Sequence, residues 1–226
     1  MPEWWTYGLS DFLLFSPRTY YRLLQRHNEA LWPAQIVTLG VGLLFLLLLR
    51  RPTPRQGRII STLLAGLWAW IGWAFLSNRY ATINWAATYA VPAFALEAFL
   101  LGWFGGVRGR WRFRPGRTVA GIIGTSLFVF SLVIYPILAP LARRPWQQAE
   151  VFGITPDPTA LGTLGLVLLA QGDTRWTLLI VPMLWCLMSG AMLLAMGSPE
   201  GWIQLPAPFI LLGALAWSLR SKTVSL

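Results

Sequence analysis

Apolar residues in this chain come in long blocks, separated by short polar, arginine-rich or proline-rich stretches. The blocks cover residues 34–49, 59–76, 83–104, 119–141, 159–170, 177–196 and 203–219. A membrane-spanning helix needs about 20 mostly apolar residues, range about 17–25. The pattern therefore predicts an all-α, polytopic helical membrane bundle of about seven transmembrane helices. The fifth block is short: twelve residues at about 1.5 Å of rise cover about 18 Å, against a hydrocarbon core of about 30 Å. Either its helix starts earlier, near Gln148, and breaks at Pro156–Pro158, or it is a half-helix beside protein or a water-filled cavity. A tilted segment in a locally thinned bilayer is the other reading.

The first 33 residues differ in kind. Ser16-Pro17 sets a capping hydroxyl before a helix-starting proline. Beyond it Tyr20, Leu24 and Leu31, with Tyr21 and Leu23 nearby, recur at helical spacing, while Arg18, Arg22, Arg26 and Glu29 take another face. This predicts an amphipathic helix in the membrane interface, anchored by Trp4, Trp5, Arg18, Arg22 and Trp32, that acts as an anchor or lid. Pro33 turns the chain into the first span. The expected organisation is an interfacial segment over 1–33, a transmembrane helical domain over 34–220 and a cytoplasmic tail over 221–226. The start, MPEWWTYGLS, lacks the basic and apolar regions of a cleavable signal.

Composition agrees with the blocks. Hydrophobic residues make up 56% of the 226 and charged ones 12%, where a soluble domain carries about 25% charged. A soluble enzyme, a disordered chain and a disulfide-built scaffold are excluded on that ground. The net charge of +10 comes from 18 cations against 8 acids. With seven spans, Arg50, Arg51, Arg55, Arg58, Arg108, Arg110, Arg112, Arg114, Arg117, Arg175, Arg220 and Lys222 share one side. Six arginines (18, 22, 26, 79, 143 and 144) take the other; if the fifth block instead dips in and out, the tally becomes nine against nine. The positive-inside rule then expects a membrane protein with its amino terminus outside and its carboxyl terminus in the cytoplasm. The loops at Arg50–Arg58 and Arg108–Arg117 abut spans, so their expected partners are anionic membrane lipids rather than nucleic acid.

Candidate chemistry is sparse. Glu97 lies midway along the third block, and an intramembrane carboxylate costs at least about 2.5 kcal/mol to insert. Proton relay, cation coordination and recognition of a basic substrate are its functional roles; a hydrogen-bonded glutamate joining two helices is the structural one. Asp157, in GITPDPTALGTLG, reads as a helix amino-terminal cap. If that helix begins inside the membrane, its end could also hold a ligand, and Gly162 and Gly165 would admit a close neighbour. Asn84 and Tyr89 join Glu97 and Asp157 as candidate substrate- or ion-binding residues. Thr125, Tyr135, Cys186 and Ser189 are further polar groups that could line a site. Trp68, Trp70 and Trp73 read as packing.

One cysteine (Cys186) and one histidine (His27) give no basis for structural zinc, bis-histidine haem or a cysteine-ligated cluster, so no metal and no cofactor is expected. No G-x-S-x-G, P-loop or H-E-x-x-H motif is present. Catalytic residues are accordingly not assigned, and a lipid-directed enzyme is the weakest of the functional classes.

Three stretches carry a resemblance: QRHNEALWPAQIV at 25–37, VFGITPDPTALGTLGLVLLA at 151–170 and VPMLWCLMSGAMLLAMG at 181–197. They resemble domain-of-unknown-function family 6064, an uncharacterised family of bacterial multi-pass membrane proteins. The resemblance implies architecture and no activity. It also implies that tyrosine can replace His27 and cysteine can replace Asp157, so that neither would be chemistry every member needs. Two function classes remain. One is small-solute or ion binding and translocation through an intramembrane carboxylate, which expects a polar cavity reaching Glu97 beside the Asp157 break. The alternative is a non-catalytic accessory or scaffold subunit of a larger membrane complex.

Overall fold

The computed structural model describes residues 13–116, 118–171 and 173–223, so Trp4, Trp5 and Arg117 lie outside the described residues. Helix α1 (Pro17–Leu31) starts as its sequence dictates, with Ser16 Oγ accepting from the Thr19 N–H at 3.2 Å. Its buried face is Tyr20, Leu23, Leu24, His27 and Asn28. The amphipathic pattern therefore serves protein packing, and two polar residues lie on the inward side. Helix α2 (Ala34–Leu49) leaves α1 at 86°.

Helix α3 (Pro54–Ile71) opens with a capping box in which Thr53 and Gln56 satisfy each other's backbone N–H groups. It runs on through a π-helical turn, Gly72–Ser77, and a 3-10 turn, Tyr80–Thr82. Helix α4 (Ala87–Leu100) continues through a second π-helical stretch, Leu101–Val107. Helix α5 (Val119–Val129) is followed by irregular helix to Leu141. Helices α6 (Pro156–Leu169), α7 (Ile180–Ala195) and α8 (Ala207–Thr223) complete the bundle.

Among the described residues five segments are long and apolar enough to cross a membrane: Pro54–Thr82, Ala87–Val107, Val119–Leu141, Arg175–Ala195 and Gly201–Ser218. Helices α1 and α2 pass the same test only as a bent pair. The block expected from residue 83 begins as helix only at Ala87, because residues 83–86 form turns in which Asn84 Oδ1 accepts from the Ala86 N–H.

The short fifth block forms α6, a 14-residue helix that begins at Pro156 rather than near Gln148. All fourteen residues of α6 are buried, which leaves no face for lipid. At about 1.5 Å per residue, α6 is about 21 Å long. Its enclosure comes from glycine: a Cβ on Gly165 would stand 2.6 Å from the Gly124 carbonyl oxygen of α5, and one on Gly162 would stand 2.6 Å from Ser131 Oγ. The chain enters α6 through residues 149–155, which are also all buried.

A two-residue strand β1 (Arg112–Phe113) pairs antiparallel with β2 (Ala170–Gln171), directly after α6. Pro52, Thr53 and Pro54 line a cleft of about 300 Å³ together with Arg112, Arg114 and Gln171. The two arginine-rich loops thus share the end of the bundle where α3 begins. Arg18, Arg22, Arg26 and Arg79 gather where α3 ends.

Candidate functional site

Buried irregular backbone must find partners for its N–H and C=O groups, and the entry to α6 finds them on both sides. Asn28 Nδ2 of α1 donates to the Gln147 and Ala149 carbonyls, both at 2.8 Å, and His27 Nε2 lies 3.4 Å from the Ile154 carbonyl. From α6, Thr159 Oγ1 accepts from the Gly153 N–H at 2.8 Å, while Thr155 Oγ1 accepts from Val151 N–H at 3.0 Å. Gly153 takes φ +79°, a backbone state open to glycine at little cost. Threonines 155, 159 and 163 follow at intervals of one helical turn. Thr159 and Thr163 each donate to the carbonyl four residues back, and Trp68 Nε1 of α3 donates to Thr163 Oγ1 at 2.9 Å.

Asp157 sits within this frame as the second residue of α6, wholly buried. It is not the cap that its position suggests. Thr155 occupies the cap position, its hydroxyl bonded back to Val151 rather than to the first turn of the helix, and the Asp157 carboxylate turns sideways to α7. There Trp185 Nε1 donates to Oδ1 at 2.7 Å, and Ser189 Oγ is 2.7 Å from both oxygens. Tyr135 and Gln204 stand close to the same carboxylate without completing a hydrogen bond.

A second buried acid, Glu150, lies near enough to Asp157 for the two charges to repel. Tyr20 of α1 donates to Glu150 Oε1 at 3.3 Å, whereas Oε2 has no partner. Toward the rim, Arg144 pairs with Glu200, Ser198 bonds Glu200, and Tyr21 bonds Ser198 at 2.8 Å. The Arg144 guanidinium lies 4.1 Å from the Tyr21 ring centre. Among the described residues this is the one ion pair, and no group of three His, Cys, Asp or Glu is placed to hold a metal ion.

Glu97 is apart from this centre. It lies on the face of α4 that packs against α3, between the contact of Phe94 with Gly72 and that of Gly105 with Ser61. It is fully buried and neither oxygen has a hydrogen-bond partner, so the reading of a glutamate hydrogen-bonding two helices together finds no partner there. One turn away, Phe94 packs on Trp68 and on Trp185, with ring centres 4.5 and 5.0 Å apart. The Glu97 neighbourhood thereby touches the same tryptophan that holds Asp157. None of the clefts described in the fold is lined by Glu97, Glu150 or Asp157. The polar cavity expected at Glu97 is not among them.

The other sequence candidates scatter. Tyr89 is 72% exposed and stacks edge-on with Trp85 at the surface. Asn84 is spent on the turn before α4, and Thr125 donates to the Gly121 carbonyl. Trp32 is exposed and lines a cleft of about 420 Å³ with Asn28 and Trp146. Tyr135, Cys186 and Ser189 do come together around Asp157. Glu150, Trp185, Gln204 and the Arg144–Glu200 pair were not singled out, because they sit in loops or apolar runs with no motif around them. Acids are so scarce here that Glu150, three residues before the Gly153–Pro156 break, is the one its surroundings mark.

His27 shows what enclosure does at the edge of this centre. Burial pushes its imidazole down to about 4, the Ile154 carbonyl pulls the other way, and the Arg79 charge adds to the lowering. Its ring packs edge-on against Phe75 at 5.1 Å.

A model of DUF6064, a family of unknown function, matches residues 18–224. The chain belongs to this family. No curated protein and no solved structure matches it. Membership in DUF6064 brings no assigned activity, and what the centre does must be argued from its own chemistry.

Proposed function

We propose that this DUF6064 protein is a multi-pass membrane protein that takes up and releases a proton or small cation at buried carboxylates, with Glu150 and Asp157 as the seat. One observation carries the reading. Two neighbouring carboxylates are buried at the start of the enclosed helix α6, and the one cation paired nearby, Arg144, already serves Glu200. A carboxylate left ionised and uncompensated in such surroundings is very costly. Each of the two must therefore share a proton or a cation. Tyr20 supplies a hydroxyl to Glu150, and the Tyr135 hydroxyl stands close to Asp157. Glu97 offers a third carboxyl beyond Trp185.

Helix α6 supports this reading. Transporters build ion sites where a helix is broken at membrane depth and irregular backbone is enclosed by protein. Residues 149–155 and α6 together make the fifth of seven crossings. With α1 outside and the arginine-rich end in the cytoplasm, the chain lies in a bacterial inner membrane. Anionic lipid at Arg50–Arg58 and Arg108–Arg117 holds it in that orientation.

The test is flux in proteoliposomes. Under an imposed proton or sodium gradient the protein should conduct one of the two ions above the level of empty vesicles. Asp157→Asn and Glu150→Gln should each lower that flux at least tenfold. Infrared difference spectra across a pH titration should show a protonated-carboxyl band that Asp157→Asn removes. Absence of both flux and band would overturn the proposal. The protein would then be read as an accessory or scaffold subunit, recognisable by partner subunits that co-purify in mild detergent.

A further inference from the structure

We propose that the cleft between α1 and the end of α3 is a binding site for a phosphate group. Four arginines line it, Arg18, Arg22 and Arg26 from α1 and Arg79 from the opposite wall, around a volume of about 290 Å³. The three on α1 are four residues apart, so they stack on one face of the helix. Arg79 is set by its own backbone: its N–H donates to the Phe75 carbonyl at 3.0 Å, and its carbonyl accepts from Thr82 Oγ1 at 2.7 Å. No carboxylate lines the cleft, and none of the four guanidiniums has an ion pair among the described residues.

Like charges at that helical spacing repel, and Arg79 adds a fourth to the same space. An anion entering the cleft relieves the repulsion. A guanidinium presents a planar fork of donors that matches two oxygens of a phosphate, and several forks around one group favour phosphate over a monocarboxylate. Leu23 and Ile83 supply an apolar wall, which suits a phosphate carrying an organic substituent. The chemistry is common to a lipid headgroup and to a free phosphate compound.

Position gives the site a consequence. The opposite face of α1 holds the entry to α6 through His27 and Asn28. An anion that ties α1 to Arg79 also ties down the wall of the acidic centre. The site itself stands whether or not that centre moves ions.

The experiment uses the full chain in neutral detergent. Thermal unfolding is followed against inorganic phosphate, with sodium chloride at matched ionic strength. Bound lipid is followed by native mass spectrometry after reconstitution with phosphatidylglycerol or phosphatidylcholine. Saturable stabilisation by inorganic phosphate identifies free phosphate compounds as ligands. Retention of phosphatidylglycerol with no response to inorganic phosphate identifies the headgroup. In either case Arg22→Gln/Arg79→Gln should weaken binding at least tenfold, and the control Arg143→Gln, at an exposed arginine outside the cleft, should not. Arg22→Lys, which keeps the charge but loses the fork, should weaken it by a smaller factor and guards against a double variant that fails to fold. No response to either ligand, or equal loss in the control, would overturn the proposal.

Discussion

Placing one methyl group on Gly165 tests whether α6 is enclosed as tightly as described. The Cβ of Gly165→Ala would lie 2.6 Å from the Gly124 carbonyl oxygen, 2.8 Å from the Phe128 nitrogen and 3.2 Å from Leu127 Cβ. Ordinary contact begins near 3.4 Å, so α5 and α6 must part by about 0.8 Å. Two of these atoms are backbone and cannot swing aside. Overpacking of this kind costs about 1–3 kcal/mol, and the rigid neighbours put it toward the upper end. Replacing glycine by alanine inside a helix returns about 0.5–1 kcal/mol. A net loss of about 1–2 kcal/mol is expected. Gly40→Ala in α2 is the control, since a Cβ there meets nothing within 4 Å; it should gain the helix term alone. Thermal unfolding of both variants in one detergent, beside the parent chain, reads the difference. A Gly165→Ala protein as stable as the parent, or as stable as Gly40→Ala, would refute the close approach. Gly124→Ala pushes the same interface from the other side, with its Cβ 2.7 Å from the Gly165 carbonyl oxygen. The double variant should lose less than the sum of the two, because helices once parted accommodate the second methyl.

Further outcomes follow from single contacts. Trp68→Phe removes the donor to Thr163 Oγ1 and leaves a void at a fully buried site, so a loss of about 2–4 kcal/mol in detergent unfolding is expected. Glu97→Leu replaces a buried carboxyl that has no partner; its unfolding temperature should equal or exceed the parent's, and a clear drop would reveal a partner. Thr53→Ala breaks the capping box of α3 and should cost about 1 kcal/mol, with Thr53→Ser recovering most of it. His27 is held neutral, with its value in the fold lowered to about 4. Its contribution is therefore whole above the ordinary histidine value, about 6.5, and is lost as pH falls from there toward 4. His27→Phe should flatten that part of the stability–pH curve; an unchanged slope would count against the buried, neutral ring.

How much of this was legible beforehand differs from residue to residue. The start of α1 was readable from Ser16-Pro17 because capping is local chemistry, and the break before α6 was readable from Pro156 and Pro158 because proline acts on its own backbone. Asp157 was found as a residue and misread as a cap. The same Asp-Pro-Thr string can cap a helix or point sideways, and the choice was made by Trp185 and Ser189, 28 and 32 residues further on. Tyr89 and Asn84 illustrate the converse: polar residues in an apolar run look like site lining until a neighbour decides which side of the helix is inside.

By itself the sequence determined that the chain is helical and apolar enough for a membrane, where α1 and α3 are capped, and that a proline break precedes α6. Those properties follow from block length, local capping and proline's effect on its own backbone, which need no knowledge of what packs against what. Only the tertiary structure decided that α6 is wholly enclosed, that α1 closes over its entry through His27 and Asn28, and that Glu150 joins Asp157 while Glu97 stands apart. In an apolar helix nearly every face is hydrophobic, so periodicity does not mark the inward side. Which side faces protein is set by glycines and hydrogen-bonding partners brought from distant parts of the chain.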